Sequence, residues 1–298
     1  MSGHIIAIVN MKGGVGKTST VVSLSEALAA DAHDRVLVID LDAQANASYS
    51  LAGDDLLAEL IESGRTIDAY FEDVLINNKK KNIQEYIRKN ISDVTHSGKQ
   101  LNISLLPSSP QLRTVEREII YIMTERKMSL RGIEGQVLKL FSGLLPDLQK
   151  QYRYIIFDCG PGISAFTEVA IKLANLVIVP SIPDFLSNLG LNAFCKSVWN
   201  SAQIDQEARP RLPHVLACRK RDTPHQNVVY EAMRNEAEAS DAGFAMFETV
   251  IPETIFMPLA LEQVGKSPTF SIKYAHPLRQ RLQALVAEVK GKLHGTRN

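Results

Sequence analysis

At 298 residues, 45% of them hydrophobic and 22% charged, the chain has room for one large α/β domain or two small ones around a sizeable core. Lysine plus arginine and aspartate plus glutamate number 33 each, so the formal net charge is zero and whole-molecule attraction to a polyanion is excluded; any such surface must be local. Cys159, Cys195 and Cys218 lie too far apart for a metal-ligand motif or a disulfide scaffold, which points to a reducing cytoplasm. No apolar run approaches the roughly 18 residues of a bilayer span, and no basic segment precedes the short apolar start, so neither a membrane anchor nor a secretory signal is expected.

In chain order, the β-branched run 5–9 reads as a buried strand, leading through a glycine-rich loop into a helical pattern over 18–30. A second strand follows at 36–40. The polar stretch 51–101, with Asn77-Asn78-Lys79-Lys80-Lys81 near its middle, breaks the rhythm and is expected to be a largely helical insertion without a core of its own. Strands at 103–106, 154–158, 176–180 and 214–218 then alternate with helical patterns at 131–149, 165–173, 189–203 and 227–240. A weaker strand at 249–251 and a helix at 277–293 end the chain. This alternation predicts one α/β domain over 1–298, a doubly wound, mostly parallel sheet flanked by helices, with its ligand at the carboxyl ends of the strands.

The first loop, Asn10-Met11-Lys12-Gly13-Gly14-Val15-Gly16-Lys17-Thr18-Ser19-Thr20, joins a strand to a helix, the context a phosphate-binding loop requires. Small residues there let successive backbone N–H groups turn around phosphate oxygens, and the helix start adds unsatisfied donors and partial positive charge. Lys17 supplies a cation for the β- and γ-phosphates, and the Thr18 hydroxyl can ligate Mg²⁺. The expected nucleotide contacts within the loop are Gly13, Gly14, Val15, Gly16, Lys17, Thr18 and Ser19. Asp40 and Asp42 end the second strand on one face, where two carboxylates can hold Mg²⁺-bound water and orient an attacking water. Asp158 ends an apolar strand where a carboxylate can bind a water of Mg²⁺.

The stretch Lys-Gly-Gly-Val-Gly-Lys-Thr, with Met11 where an ordinary P-loop has its first glycine, resembles the deviant Walker A motif of the ParA/MinD family of ATPases. The segment from Asp40 to Asn46 resembles that family's Asp-x-Asp-Pro-Gln-x-Asn switch, with Ala43 in place of the proline, and Gly160-Pro161 stands where two prolines are usual. Leu105 to Ser108, Val177 to Pro180 and Gly265 to Pro268 extend the likeness nearly end to end. The resemblance implies ATP and Mg²⁺ as cofactors and a homodimer in the ATP state. In that dimer Lys12 reaches the partner's nucleotide, Asp42 positions the hydrolytic water, and Asp40 supports Mg²⁺ beside Thr18 and Asp158. It also implies slow hydrolysis, a ParB-like or cargo adaptor, non-specific DNA as a partner, and a cytoplasmic, nucleoid-associated protein that partitions plasmid or chromosome DNA or positions another cargo. With its first strand starting by Ile5, the chain looks like the short, Soj-like members that lack an N-terminal DNA-binding extension.

Basic residues gather at Arg209, Arg211, Arg219, Lys220 and Arg221, and again from Lys266 to the end. Such clusters can hold DNA phosphates without reading sequence; by the resemblance, Arg219, Lys220, Arg221 and Lys266 are the expected contacts. Against this, the family's basic Ile-Pro-Arg segment reads Ile251-Pro252-Glu253 here, with Phe256 close behind. Leu278, Leu282, Leu285, Val286, Val289 and Leu293 form one stripe on the last helix, the pattern a helix packed on the sheet needs; a MinD-like helix lying on a membrane is the alternative. Two further readings are an iron–sulfur metabolic enzyme, against which the cysteine spacing speaks, and a nucleotide-binding scaffold without turnover.

Overall fold

The computed structural model describes residues 2–194 and 212–294. It begins with β1 (His4–Ile8), α1 (Lys17–Ala32) and β2 (Val36–Leu41), continues through α2 (Asn46–Ala52), α3 (Asp54–Glu62) and α4 (Ile67–Phe71), and then forms a small hairpin, β3 (Thr95–His96) and β4 (Lys99–Gln100). Next come β5 (Ile103–Leu106), α5 (Leu112–Glu125), α6 (Leu130–Gln151), β6 (Tyr154–Cys159), α7 (Ala165–Leu173), β7 (Leu176–Ser181) and α8 (Phe185–Phe194). The last third holds β8 (His214–Lys220), α9 (Pro224–Glu238), β9 (Ala245–Met246), β10 (Ile251–Pro252), α10 (Phe256–Leu261), α11 (Phe270–Lys273) and α12 (His276–His294).

Among the described residues, eight strands form one sheet in the order β10-β8-β7-β1-β6-β2-β5, with β9 also beside β8, and every pair is parallel. A strand covered on both faces needs apolar side chains on both, hence the unbroken hydrophobic runs. In β1 and its exit, Ile5, Ala7 and Val9 enter one core while Ile6 and Ile8 enter the other. The strand order reverses around β1, where a doubly wound sheet opens a crevice at its carboxyl edge.

Helix α1 is rich in alanine, serine and valine and is buried continuously from Thr20 to Ala30, because it lies between the sheet and α12. The apolar stripe of α12 is buried in that contact, which leaves it no free face for a lipid surface. No helix among the described residues is long and apolar enough to cross a membrane.

The stretch 51–101 is less helical than expected and, as expected, has no core of its own. It is helical through a π-helical turn at Glu72–Ile76 and a 3₁₀ turn at Ile83–Glu85, and largely extended beyond. Its sparse apolar residues are core residues: Ile67, Tyr70, Phe71 and Tyr86 join one cluster, and Ile91, Val94 and Leu101 the other. Arg88 exchanges backbone hydrogen bonds with Leu105 at 2.8 and 2.9 Å, and the Ile91 N–H donates to Ile103 at 2.8 Å, so this segment runs along the outer edge of β5. Helix α5, absent from the sequence expectation, buries Leu112, Val115, Ile119 and Met123 at helical spacing. The expected helix 189–203 starts earlier, at Phe185; its portion after Phe194, with Cys195, lies outside the described residues, as do Arg209, Arg211 and Arg297.

Candidate nucleotide site

The loop leaving β1 is pinned by Asn10, whose amide donates to the Pro180 carbonyl (2.8 Å) and whose oxygen accepts from the Lys12 N–H (2.9 Å). Gly14 and Gly16 have φ of 75° and 99°, a region that glycine enters without strain. A β-carbon on Gly13 or Gly14 would meet nothing within 4 Å, so this side of the loop is an open cradle. Gly16 is the N-cap of α1 and offers no side-chain cap, which leaves the first-turn N–H groups directed at the cradle.

A cavity of about 480 Å³ sits here. Lys17, Thr18 and Asp42 line its phosphate end, with Gly13, Gly16 and Ser19. Lys17 is buried; its ammonium donates to the loop's own Lys12 carbonyl at 2.9 Å. Burial holds the Lys17 pKa below the ordinary lysine range, although Asp158 and then Asp42 pull it up. The Thr18 hydroxyl donates to Asp158 Oδ2 at 2.9 Å. Asp158 Oδ1 is buried without a protein partner, and burial, reinforced by Asp40 on the neighbouring strand, raises this carboxyl well above the usual range. A hard cation beside Thr18 would offset that cost. No group of three His, Cys, Asp or Glu side chains among the described residues makes a metal cage. The unpartnered Asp158 oxygen beside the Thr18 hydroxyl fits Mg²⁺, which keeps waters and phosphate oxygens as ligands and needs few side chains.

The two switch carboxylates part company. Asp42 reaches the cavity, its Oδ1 accepting from the Gln44 N–H at 2.9 Å; a β-carbon at position 160 would lie 3.5 Å from its carboxyl carbon. Asp40 does not line the cavity. Its oxygens accept from the Asp42 N–H (3.0 Å), the Ser48 N–H (2.9 Å) and the Ser48 hydroxyl (2.7 Å), and Ser48 in turn accepts from the Ser108 N–H (3.0 Å). Burial pushes Asp40 up to about 6 while these donors pull it down. Through these bonds Asp40 anchors the turn that carries Asp42.

Lys12 turns away from its own phosphate cradle. Its ammonium donates to Ser187 Oγ at 3.0 Å and lies 3.7 Å from Asp184, whose carboxylate also caps α8 through the Ser187 N–H (2.7 Å). Asp184 and Ser187 went unremarked in the sequence, although an aspartate and a serine opening an apolar helical run are a start signal. A family model described as an AAA domain matches residues 3–212. The chain belongs to the ParA/MinD family of P-loop ATPases. Within that family it is 28% identical over 196 residues to the chromosome partitioning protein ParA of Myxococcus xanthus, covering 66% of this chain and 58% of that one. It is likewise 28% identical over 196 residues to the sporulation initiation inhibitor Soj of Bacillus subtilis, covering 66% of this chain and 65% of that one. An uncharacterised Methanocaldococcus jannaschii protein is 33% identical over 196 residues, 65% of this chain and 64% of the relative. The chain thus spans less than two thirds of the length of the first curated relatives it matches. Among solved structures, apo McdA of Cyanothece superposes with a TM-score of 0.69 at 20% identity over 97% of this chain and 99% of that one. The pNOB8 ParA structure gives 0.69 at 19% identity over 99% and 100%. Both show the shared fold.

For a ParA/MinD-family chain, the basic residues are placed unexpectedly. Arg219 lies in the cavity wall, and Arg219 and Arg221 both bind Glu253. Lys220 turns to Asn227 and lies 5.4 Å from the centre of the Tyr230 ring. Of the four expected DNA contacts, Arg219 and Arg221 are thus exposed but paired with Glu253, Lys220 is half-buried against α9, and Lys266 is exposed.

Proposed function

We propose that the chain is a Mg²⁺- and ATP-dependent switch that dimerises with ATP, holds a large cargo or its adaptor in that state, and releases it on slow hydrolysis. The observation that carries this reading is the convergence of Lys17, Thr18 and Asp42 on one cavity over a glycine cradle, with the buried Asp158 behind Thr18. Lys12 supports the dimer. It is not committed to its own loop and sits at a surface where Met11, Phe185, Leu186 and Leu189 expose apolar side chains. The partition and sporulation relatives make plasmid or chromosome DNA the first candidate cargo, reached directly or through a ParB-like adaptor in the cytoplasm. Direct DNA contact would rest on Lys266 and the C-terminal face more than on Arg219 to Arg221.

Two substitutions test the chemistry. Asp42→Ala should bind ATP and accumulate as a dimer yet turn over about 100-fold more slowly, the usual worth of a positioned proton acceptor. Phosphate release from the purified chain measures it, and a normal rate would remove Asp42 from the mechanism. Lys17→Ala should weaken ATP by about 10- to 100-fold, one charge-assisted hydrogen bond. Unchanged affinity by calorimetry would end the phosphate-loop reading.

A further inference from the structure

The cavity has a second end, built from chain some 200 residues after the phosphate loop: Arg219 at the end of β8, and Ile251, Glu253 and Met257 around β10 and α10. If the phosphates lie on the loop, this end receives the nucleoside. Its backbone attachment is slight. β10 has two residues, its register with β8 shifts between them, and Pro252 has no N–H to donate. Beyond this ladder, the Glu253 N–H donates to the Lys220 carbonyl at 3.0 Å.

Side chains supply the remaining connection. Arg219 has φ of 52°, a left-handed conformation that costs a non-glycine residue on the order of 1 kcal/mol and persists only where surroundings enforce it. Its guanidinium donates to the Gly14 carbonyl at 3.1 Å and, through the other terminal nitrogen, to Glu253 Oε1 at 3.0 Å. Arg221 takes the second Glu253 oxygen through its Nε. Both carboxylate oxygens are therefore occupied, and the two arginines, Arg221 foremost, hold this carboxyl down at about 2. The planar fork of Arg219 spans phosphate loop and far wall in one fixed geometry, which a lysine could not reproduce.

We propose that Glu253, held by Arg219 and Arg221, is a positioning residue that fastens the nucleoside end of the cavity to the phosphate loop and so sets affinity for the whole nucleotide, not for the phosphate chain alone. This rests on the nucleotide-site reading above. It also accounts for the acid at a position where the resemblance expected a base: Glu253 neutralises arginines that serve the cavity. An isolated exposed ion pair contributes little; here three charges and a loop carbonyl form a network whose value is geometric.

The experiment compares ATP with inorganic tripolyphosphate, each with Mg²⁺, by titration calorimetry on the full chain. Glu253→Gln and Arg219→Ala should each weaken ATP by about tenfold, near 1.4 kcal/mol, and leave tripolyphosphate unchanged. The double variant should lose no more than the worse single, because one connection is broken either way. Arg219→Lys should fail to restore affinity. Equal loss for both ligands, or wild-type ATP affinity in Glu253→Gln, would overturn the positioning role while leaving the nucleotide site intact. A wild-type chain that binds neither ligand would overturn both. Should Arg219→Ala fold poorly, Glu253→Gln, a substitution of matched shape at the surface, decides the question alone.

Discussion

Lys12→Gln is expected to bind ATP as a monomer and to form no ATP-dependent dimer. On the proposed reading Lys17, buried beside the cradle, serves the chain's own phosphates, and the Lys12 side chain is not needed there, since it points to Ser187 and Asp184. In a face-to-face dimer each Lys12 would exchange these two acceptors for the partner's terminal phosphate. That exchange is worthwhile only with ATP, because ADP lacks the charge nearest the interface, and differential affinity of this kind couples nucleotide state to assembly. Truncating one partner of a buried charge pair costs about 2 kcal/mol or more. Two lysines per dimer therefore place the loss near 4 kcal/mol, about a thousandfold in dimer Kd. Light scattering with a slowly hydrolysed ATP analogue reads the mass. A dimer of wild-type affinity in Lys12→Gln would refute the exchange and leave the ATPase reading standing.

The second large effect is on stability. Lys273 of α11 donates to Glu26 of α1 at 2.7 Å, and the Tyr274 hydroxyl donates to the other oxygen at 2.7 Å, all three side chains being buried. Burial pushes the Glu26 carboxyl upward, and Lys273 is the main counterweight. Lys273→Met strands an uncompensated carboxylate in the core and should cost about 3–5 kcal/mol in urea unfolding. The sign of its pH dependence follows. With the cation gone, the folded-state pKa of Glu26 rises further above its unfolded value, so the native state binds the extra proton. The variant should regain stability as pH falls toward the ordinary glutamate range and lose it as pH rises through the folded pKa. Glu26→Gln in the Lys273→Met background removes the stranded charge and should recover most of the loss. A flat pH profile for Lys273→Met would show that Glu26 is solvated or paired elsewhere.

The strands were legible because a parallel strand buried on both faces must be apolar throughout, and the phosphate loop because its chemistry lies within a dozen consecutive residues. What stayed hidden depends on partners distant in sequence. Lys12 finds Ser187 and Asp184 across 175 and 172 positions, which no local pattern announces. Arg219 and Arg221 read as a free basic run until folding brought Glu253 between them. Asp40 and Asp42 share a strand pattern, yet only the fold separates the carboxylate that faces the cavity from the one spent on Ser48. The stretch 51–101 was masked by its polarity: core anchors such as Ile67, Phe71, Tyr86 and Ile91 are diluted among solvated neighbours, and average composition weighs both alike.

The strip from Arg88 to Ile91 along β5 has a consequence for how copies of this chain meet. A parallel sheet that ends in a bare strand presents a row of backbone donors and acceptors on which any extended segment can build. Here that row is already answered from within, by the exchange between Arg88 and Leu105 and by the bond from Ile91 to Ile103. Copies are thereby discouraged from stacking strand upon strand at this rim. In the proposed dimer, recognition at this rim would fall to side-chain surfaces, which a bound ligand can alter reversibly, and not to a backbone ladder, which would grow without limit.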